Sequence, residues 1–463
     1  MTSTFDWFFL LSANVFVVFC LFLVISLLGE IRLSGAGCRP DFSYMSRFSM
    51  LFAAGMGIGL MSFGVSEPLS HFSSRMGGMS IDAATNLTSG WAPLGGAVGD
   101  IEGARDLAMA ATVFLWGLHP WSTYAIVALA LVFFSFNHQL PLTLRWVFYP
   151  LLGDRIWVFW GHVIDILAVF ATLFGLITSL GFGAKQALSG MNFIFGWGTG
   201  AIAIISVVRW VDGGVRLLSE LNMGLCMLLH LFIIVFGQAT NILTTIFEGG
   251  VAYIKEFISL AMPFGREDAN FSQGWKAFYW AWWISWSPFV GMFIARVSKG
   301  RTVRELVVCV VIVPTVLGTI WMGPFGGEAV SQVIADATAP VASVAQELKL
   351  FVMVQELPLA NVLSMIGIIL VLVFFITSAD SGSLVIDSTT AGGKENAPVI
   401  QKIFWCSFEG LIAIVLLLVG GSEALGTLQA MAVSTGLPFT LVLLAMSLSL
   451  YLGLKQAASS VQK

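Results

Sequence analysis

Long apolar runs recur along the whole chain and constrain its fold more than any other feature. Only 10% of the 463 residues are charged, and the mean hydropathy is +0.90. Soluble globular proteins carry about 25% charged residues. A chain so poor in charge cannot cover a water-facing surface, which excludes a soluble enzyme. The net charge of −4 gives no support for a nucleic-acid partner.

The apolar runs predict membrane-spanning helices. A helix needs about 20 apolar residues to cross a bilayer, and roughly eleven segments reach that length. They lie near residues 7–28, 48–66, 108–134, 157–182, 193–210, 220–246, 276–296, 303–325, 359–386, 399–420 and 429–453. The stretch 247–268 is less apolar and is expected to form an interfacial helix with Tyr253, Ile254, Phe257 and Ile258 on one side. The predicted fold is therefore an all-α integral membrane protein with about eleven transmembrane helices.

The basic residues predict the orientation of this bundle. When the segments between spans are taken in alternation, about two thirds of the 22 lysines and arginines fall in one set. The richer set should face the cytoplasm. This places the N-terminus outside and the C-terminus in the cytoplasm of a multi-pass protein of the cell (inner) membrane.

Two segments combine helix-breaking residues with an apolar setting. The first is Gly55-Met-Gly-Ile-Gly59, followed by Gly64 and Glu67-Pro68, and the second runs from Trp280 to Phe289 and includes Pro288. Interrupted helices at matching places in two halves are typical of inverted-repeat transporters with a binding site at the bilayer midplane. In the alternative interpretation, the glycines only let helices pack closely.

Aromatic residues cluster inside two predicted spans. Trp282, Trp283 and Trp286 are three and four residues apart, which places them around one helix face. A second set comprises Trp116, Trp121 and Tyr124. Aromatic faces attract cations that cannot hydrogen-bond, so such rings could hold a quaternary ammonium or sulfonium group. Bulky packing between helices is the alternative.

Thr377 and Ser378 place two adjacent hydroxyl groups in an otherwise apolar span. Together with backbone carbonyls of an unwound helix, these hydroxyls could bind a small cation. They could equally donate hydrogen bonds to the preceding helical turn, as Ser and Thr often do in membrane helices.

Taken together, these segments resemble the betaine/choline/carnitine transporter (BCCT) family over residues 7–453. The resemblance is carried by the glycine stretch 55–59, the aromatic pattern 116–124, the segments 165–169 and 280–296, and Thr377-Ser-Ala-Asp-Ser-Gly382. It implies two inverted five-helix repeats of the LeuT-like type, usually in a homotrimer. The first span resembles the family's second helix, so the family's first helix is expected to be missing.

The resemblance also implies a division of the chain. A peripheral N-terminal helix and cytoplasmic loop would occupy 1–47, and the first repeat 48–246. An extracytoplasmic loop with the interfacial helix would occupy 247–275, the second repeat 276–453, and a short cytoplasmic tail 454–463.

Substrate-binding residues follow from the family pattern. The aromatic box would comprise Trp116, Trp121, Tyr124 and Trp283, with Trp286 guarding the path. Gly55, Gly57 and Gly59 would let the backbone approach a substrate carboxylate. Choline-type members have Asp in place of the last glycine, so Gly59 favours a zwitterionic substrate.

Ion sites follow in the same way. One sodium site would use carbonyl groups of Ala53, Met56 and Phe374 with the hydroxyls of Thr377 and Ser378. A second would use Thr172 and Phe289. The family's further threonine there is replaced by Leu176, so this second site is expected to be weak or empty.

The resulting prediction is import of a betaine-type zwitterion, such as glycine betaine or dimethylsulfoniopropionate, by sodium symport. Sodium is the expected coupling ion, and no other cofactor is expected. Sodium-independent exchange or proton-coupled carriage of carnitine- or choline-type compounds is the alternative. Exchangers of the family place an arginine where sodium would sit, and residues 166–182 contain neither Arg nor Lys. A non-transporting betaine sensor would be expected to carry a signalling domain, and the five histidines form no catalytic motif.

Overall fold

The computed structural model describes residues 2–35, 37–44, 57–77, 88–198, 215–394, 398–420 and 424–461. Within these ranges the regular secondary structure is helical, and the β-type pairing is limited to one isolated bridge between Arg32 and Thr302. The main helices are α1 (Thr2–Ile25), α2 (Ile58–Phe63), α3 (Ser66–Met76), α4 (Ile101–Trp116), α5 (Leu118–Val132), α6 (Phe159–Phe195), α7 (Val215–Phe236), α8 (Ala239–Ala261), α9 (Ala277–Val297), α10 (Val303–Ala335), α11 (Ala360–Thr390), α12 (Val399–Gly420) and α13 (Ala424–Val461).

The helices match an integral membrane protein. Seven helical segments of the described residues are long and apolar enough to cross a bilayer, and the bent pair α7–α8 would make an eighth. The predicted span 276–296 corresponds to α9. The predicted spans 48–66 and 193–210 lie partly outside the described residues. The all-α membrane fold is thus confirmed, whereas the count of eleven spans stays a prediction.

The predicted boundary between a span at 220–246 and an interfacial helix at 247–268 is wrong. Helix α7 ends at Phe236, and α8 begins at Ala239 after a bend of 110°. Glu328 on α10 stabilises this bend, because its Oε2 accepts a hydrogen bond of 2.8 Å from the backbone N–H of Gln238. That N–H lies at the start of α8 and has no partner within the helix.

The four residues assigned to one side of the interfacial helix lie on two faces of α8. Tyr253 is buried, and Phe257 packs against the core. Ile254 and Ile258 are 77% and 69% exposed. The inner face of α8 packs on α4 and α10, so the exposed isoleucines point away from the bundle.

The predicted break between Trp280 and Phe289 is also wrong, because α9 is a continuous helix through Pro288. Proline has no N–H to donate to the carbonyl four residues earlier, which is that of Ile284. The hydroxyl of Ser287 donates to this carbonyl instead, at 2.7 Å. A neighbouring side chain therefore compensates for the proline and keeps the helix intact.

Two other helix breaks shape the centre of the bundle. Helix α2 ends at Phe63, and α3 starts at Ser66 after a turn at Gly64 and Val65. Helix α4 ends at Trp116, and α5 starts at Leu118 after Gly117, whose φ and ψ of −99° and −124° are not helical. Helix α6 crosses this region and packs against α9, α11 and α13.

Candidate substrate and ion sites

All four residues of the predicted aromatic box lie close together among the helices. This aromatic cluster comprises Trp116 at the end of α4, Trp121 and Tyr124 on α5, and Trp283 on α9. The ring centroids lie 4.8 Å apart for Trp116–Trp283, 5.4 Å for Trp121–Tyr124 and 6.3 Å for Tyr124–Trp283, all in edge-to-face geometry. Each ring is at most 5% exposed.

The break at Gly117 explains how these rings are oriented. Pro120 has no N–H, so the carbonyl of Trp116 lacks its helical partner. The indole N–H of Trp121 donates to that carbonyl at 3.1 Å, and the indole N–H of Trp283 donates to the carbonyl of Leu115 at 2.9 Å. Carbonyl groups at the broken helix end therefore fix two of the four rings.

The hydroxyl of Tyr124 differs from these indole groups. Its ring is 1% exposed, and its hydroxyl oxygen has no hydrogen-bond partner among the described residues. A buried polar group without a partner is costly. This hydroxyl is therefore available to a bound molecule.

Trp286 lies one helical turn beyond Trp283 and contacts a different helix. Its indole N–H donates to the carbonyl of Gly175 on α6 at 2.8 Å, and its ring meets Phe289 at 5.3 Å. Gly175 allows this approach, since an added Cβ would lie 2.9 Å from the Trp286 ring. Trp286 thus joins α9 to α6 next to the cluster.

Two glycines of the stretch, Gly57 and Gly59, contact α11 and the aromatic cluster respectively. An added Cβ on Gly59 would lie 2.6 Å from Trp116 and 3.3 Å from Trp282. An added Cβ on Gly57 would lie 3.5 Å from the hydroxyl oxygen of Ser378. Gly55 lies outside the described residues.

The residues of the first predicted ion site are brought together in part. Phe374 and Ser378 both lie against Gly57. Thr377 donates its hydroxyl to the carbonyls of Val373 at 3.0 Å and Phe374 at 3.2 Å, so it bonds back to its own helix. Ala53 and Met56 lie outside the described residues.

The residues named for the second predicted ion site make contacts of other kinds. The hydroxyl of Thr172 donates to the carbonyl of Ala168 at 2.8 Å. Leu176, one turn further along α6, fills the space beside Gly382 on α11, where even a methyl group would overlap with it. Phe289 is buried beside Trp286.

Glu67, next to the cluster, was expected only as part of a helix break and was given no role in the site. Glu67 on α3 is fully buried, and its Oε2 accepts a hydrogen bond of 2.8 Å from the indole N–H of Trp116. The hydroxyl of Tyr279 donates to the same oxygen. The available signal was an acidic residue in an apolar span, since such residues are commonly functional.

Comparison with known proteins identifies the family. A family model described as BCCT, betaine/carnitine/choline family transporter, matches residues 1–459. The chain belongs to this family of transporters. It is 56% identical to a glycine betaine/proline/choline transporter of Vibrio parahaemolyticus over 98% of this chain and 83% of that protein.

Further relatives are also named as transporters. Glycine betaine transporter 1 of Vibrio parahaemolyticus is 52% identical over 98% of this chain and 86% of its own. The glycine betaine transporter of Acinetobacter baylyi is 38% identical over 100% of this chain and 69% of its own. The protein is therefore a multi-pass membrane transporter and not an enzyme.

Proposed function

We propose that this BCCT transporter imports a betaine-type zwitterionic onium compound, such as glycine betaine or a dimethylsulfoniopropionate-like solute, by sodium symport. The observation that carries the proposal is the buried aromatic cluster of Trp116, Trp121, Tyr124 and Trp283 beside Gly59. Two of the relatives described above are glycine betaine transporters.

The cluster suits the cationic end of such a substrate. A quaternary ammonium or sulfonium group has no N–H to donate, so it gains little from a carboxylate's hydrogen-bonding geometry. An aromatic face attracts it through the ring quadrupole, with about 0.5–2 kcal/mol per contact. Four buried rings in one cluster can each offer such a contact and exclude water.

The glycine stretch suits the carboxylate end. Gly59 lies against Trp116, so the backbone of this stretch runs directly beside the proposed cation site. Without a Cβ, the peptide groups can approach a ligand closely. A short zwitterion would thus place its carboxylate near the glycines while its cationic head contacts the rings.

Sodium coupling is supported by the contact between the glycine stretch and α11. Ser378 lies beside Gly57, so its hydroxyl oxygen, a ligand type that hard cations favour, lies next to the backbone of this glycine. A sodium ion that moves inward down 100 mV yields about 2.3 kcal/mol before its concentration gradient is added. That is enough to drive accumulation of a neutral zwitterion.

The proposal extends to the assembly and orientation. We expect two inverted five-helix repeats around the site, a homotrimer in the cell (inner) membrane, an external N-terminus and a cytoplasmic C-terminus. Sodium-independent exchange and proton coupling are the competing mechanisms.

Uptake into proteoliposomes tests the proposal. Radiolabelled glycine betaine, dimethylsulfoniopropionate, carnitine, choline and proline are compared with sodium or potassium outside at a fixed membrane potential. We expect sodium-dependent uptake that is fastest for the betaine-type zwitterions. Equal uptake in potassium would replace symport by exchange or proton coupling, and preference for choline would contradict the zwitterion assignment.

A further inference from the structure

A buried carboxylate lies directly behind the aromatic cluster. Glu67 is the second residue of α3, just after the break at Gly64, and its side chain is 0% exposed. Taking an unpaired carboxylate into a membrane interior costs several kcal/mol. A residue this costly needs a reason beyond filling space.

One oxygen of this carboxylate joins three helices. Oε2 of Glu67 on α3 accepts hydrogen bonds from the indole N–H of Trp116 on α4, at 2.8 Å, and from the hydroxyl of Tyr279 on α9. An indole has a single N–H. The position of its acceptor therefore fixes the rotation of the ring, and with it the direction of the ring face.

The other half of the carboxylate makes no competing hydrogen bond. Oε1 lies 3.6 Å from Nε2 of His71, one turn along α3, and neither atom has a hydrogen-bond partner among the described residues. His71 is itself fixed between the rings of Phe271 and Trp275, at 5.2 and 4.8 Å. The polar contacts of Glu67 are therefore directed towards the cluster.

The ring of Trp116 is the point where these contacts reach the proposed substrate. It meets Trp283 at 4.8 Å on one side and Gly59 on another. A small rotation of this indole would change both the cation-binding face and the space beside the glycine backbone.

We propose that Glu67 is a positioning residue for substrate binding, whose Oε2 holds the indole of Trp116 in the orientation that receives the onium group. This inference rests on the proposed function, because it assumes that the aromatic cluster binds the substrate. Glu67 acts through Trp116 and does not itself contact the substrate. Its acceptor oxygen, rather than its charge, is the property that matters.

A double-mutant cycle tests this role in the purified full-length protein, with glycine betaine binding measured by isothermal titration calorimetry. Glu67→Met removes the acceptor at similar volume and should weaken binding about tenfold or more, whereas Glu67→Gln keeps an acceptor oxygen and should stay within about threefold. Trp116→Phe removes the donor and should also weaken binding about tenfold. Adding Glu67→Met to Trp116→Phe should cost less than about threefold, because the contact is already lost.

Glu328 provides a matched control. It is also a buried glutamate, 3% exposed, and it accepts hydrogen bonds from Gln238 and Gln332 at the α7–α8 bend. Glu328→Met should lower the melting temperature and leave the affinity of the folded fraction within about twofold. An affinity loss as large as that of Glu67→Met would reduce Glu67 to a general structural role.

Three results would overturn the inference. They are additive losses in the cycle, a Glu67→Gln variant as weak as Glu67→Met, or a Trp116→Phe variant that binds like the parent. If Glu67→Met does not fold, the affinity of Trp116→Phe relative to the parent can still overturn the inference. Wild-type protein is titrated first, since failure of the parent to bind any onium solute would contradict the proposed function and not the role of Glu67.

Discussion

Gly59 lies directly against the indole of Trp116, so closely that an added Cβ would be 2.6 Å from its ring carbon Cη2. Contacts below 3.0 Å require something to move. Here the neighbour is an indole that is 3% exposed and hydrogen-bonded to Glu67, so it cannot move freely. The glycine and the ring therefore form one unit of the candidate site.

Gly59→Ala is expected to weaken glycine betaine binding about tenfold, because the methyl group must displace Trp116 from the cluster. Gly59→Asp should do the same and should also shift competition towards choline, because it places a negative charge near the cationic site. Competition uptake in proteoliposomes measures both effects. Gly224→Ala on the exposed face of α7, where an added Cβ meets nothing within 4 Å, is the control and should bind normally. Unchanged affinity in Gly59→Ala would show that the substrate lies elsewhere.

The aromatic part of the site was predictable from the sequence, whereas its polar support was not. Trp116, Trp121, Tyr124 and Trp283 stood out because bulky aromatic residues recur at helical spacing inside apolar spans. Glu67 stood out only as part of a predicted helix break, and its partner Tyr279 lies far away in the chain. Such long-range hydrogen bonds depend on how helices pack, which spacing alone does not reveal.

Helix breaks were predicted less well than helices. The Trp280–Phe289 segment contains proline and serine and was expected to break, but the hydroxyl of Ser287 satisfies the carbonyl that Pro288 leaves free. The break at Gly117 was not expected, because the flanking residues are apolar enough to read as one span. Local compensation by side chains decides whether a proline interrupts a helix.

Loss of a cluster ring is expected to weaken substrate binding. Trp283→Leu or Trp121→Leu should cost roughly 1–3 kcal/mol, since each removes a cation-binding face and contact area. Calorimetric titration with glycine betaine measures the loss. Trp160→Leu, at a position that is 52% exposed on α6, is the matched control and should bind like the parent. Parental affinity in both cluster variants would contradict the cage assignment.

Sodium dependence is expected to rely on Thr377 and on Ser378, which lies beside Gly57. Replacing Thr377 and Ser378 together by Ala removes two oxygen ligands and should reduce the apparent sodium affinity at least about tenfold, or 1.4 kcal/mol. Uptake is measured against external sodium at fixed membrane potential. Thr319→Ala removes a hydroxyl on α10, which is not part of the predicted ion site and which bonds back to Thr315 at 2.9 Å as Thr377 does to its own helix, and should have no effect. A double variant with parental sodium dependence would remove these residues from the ion site.

Lys349 predicts a specific pH dependence of stability. It lies in the connection between α10 and α11, and its Nζ donates to the carbonyls of Val341 and Ala342 at 2.9 and 3.1 Å. Burial lowers its pKa from 10.5 to about 8. The unfolded chain keeps this proton to higher pH than the folded protein, so stability should rise as the pH increases from 8 to 10.5.

Differential scanning fluorimetry of the detergent-solubilised protein tests this prediction. Lys349→Met removes the titrating group, so the melting temperature of the variant should lack the part of the alkaline rise that this lysine contributes. Lys455→Met, at an exposed position on α13, should keep the parental profile. Identical pH profiles for the Lys349 variant and the parent would show that burial does not affect this amine.

The packing of Leu176 against Gly382 predicts that one sodium ion, not two, drives each transport cycle. Leu176 occupies the position one turn beyond Thr172, where the family pattern places a second hydroxyl. The Hill coefficient for sodium should therefore be nearer one than two. Leu176→Thr adds the hydroxyl and should raise the Hill coefficient. Leu176→Val, whose side chain has the shape of threonine but no hydroxyl, should not. The prediction assumes that the second site needs this hydroxyl, since an apolar side chain supplies no ligand. A coefficient near two in the parent would contradict it, because a second sodium ion would then bind despite Leu176.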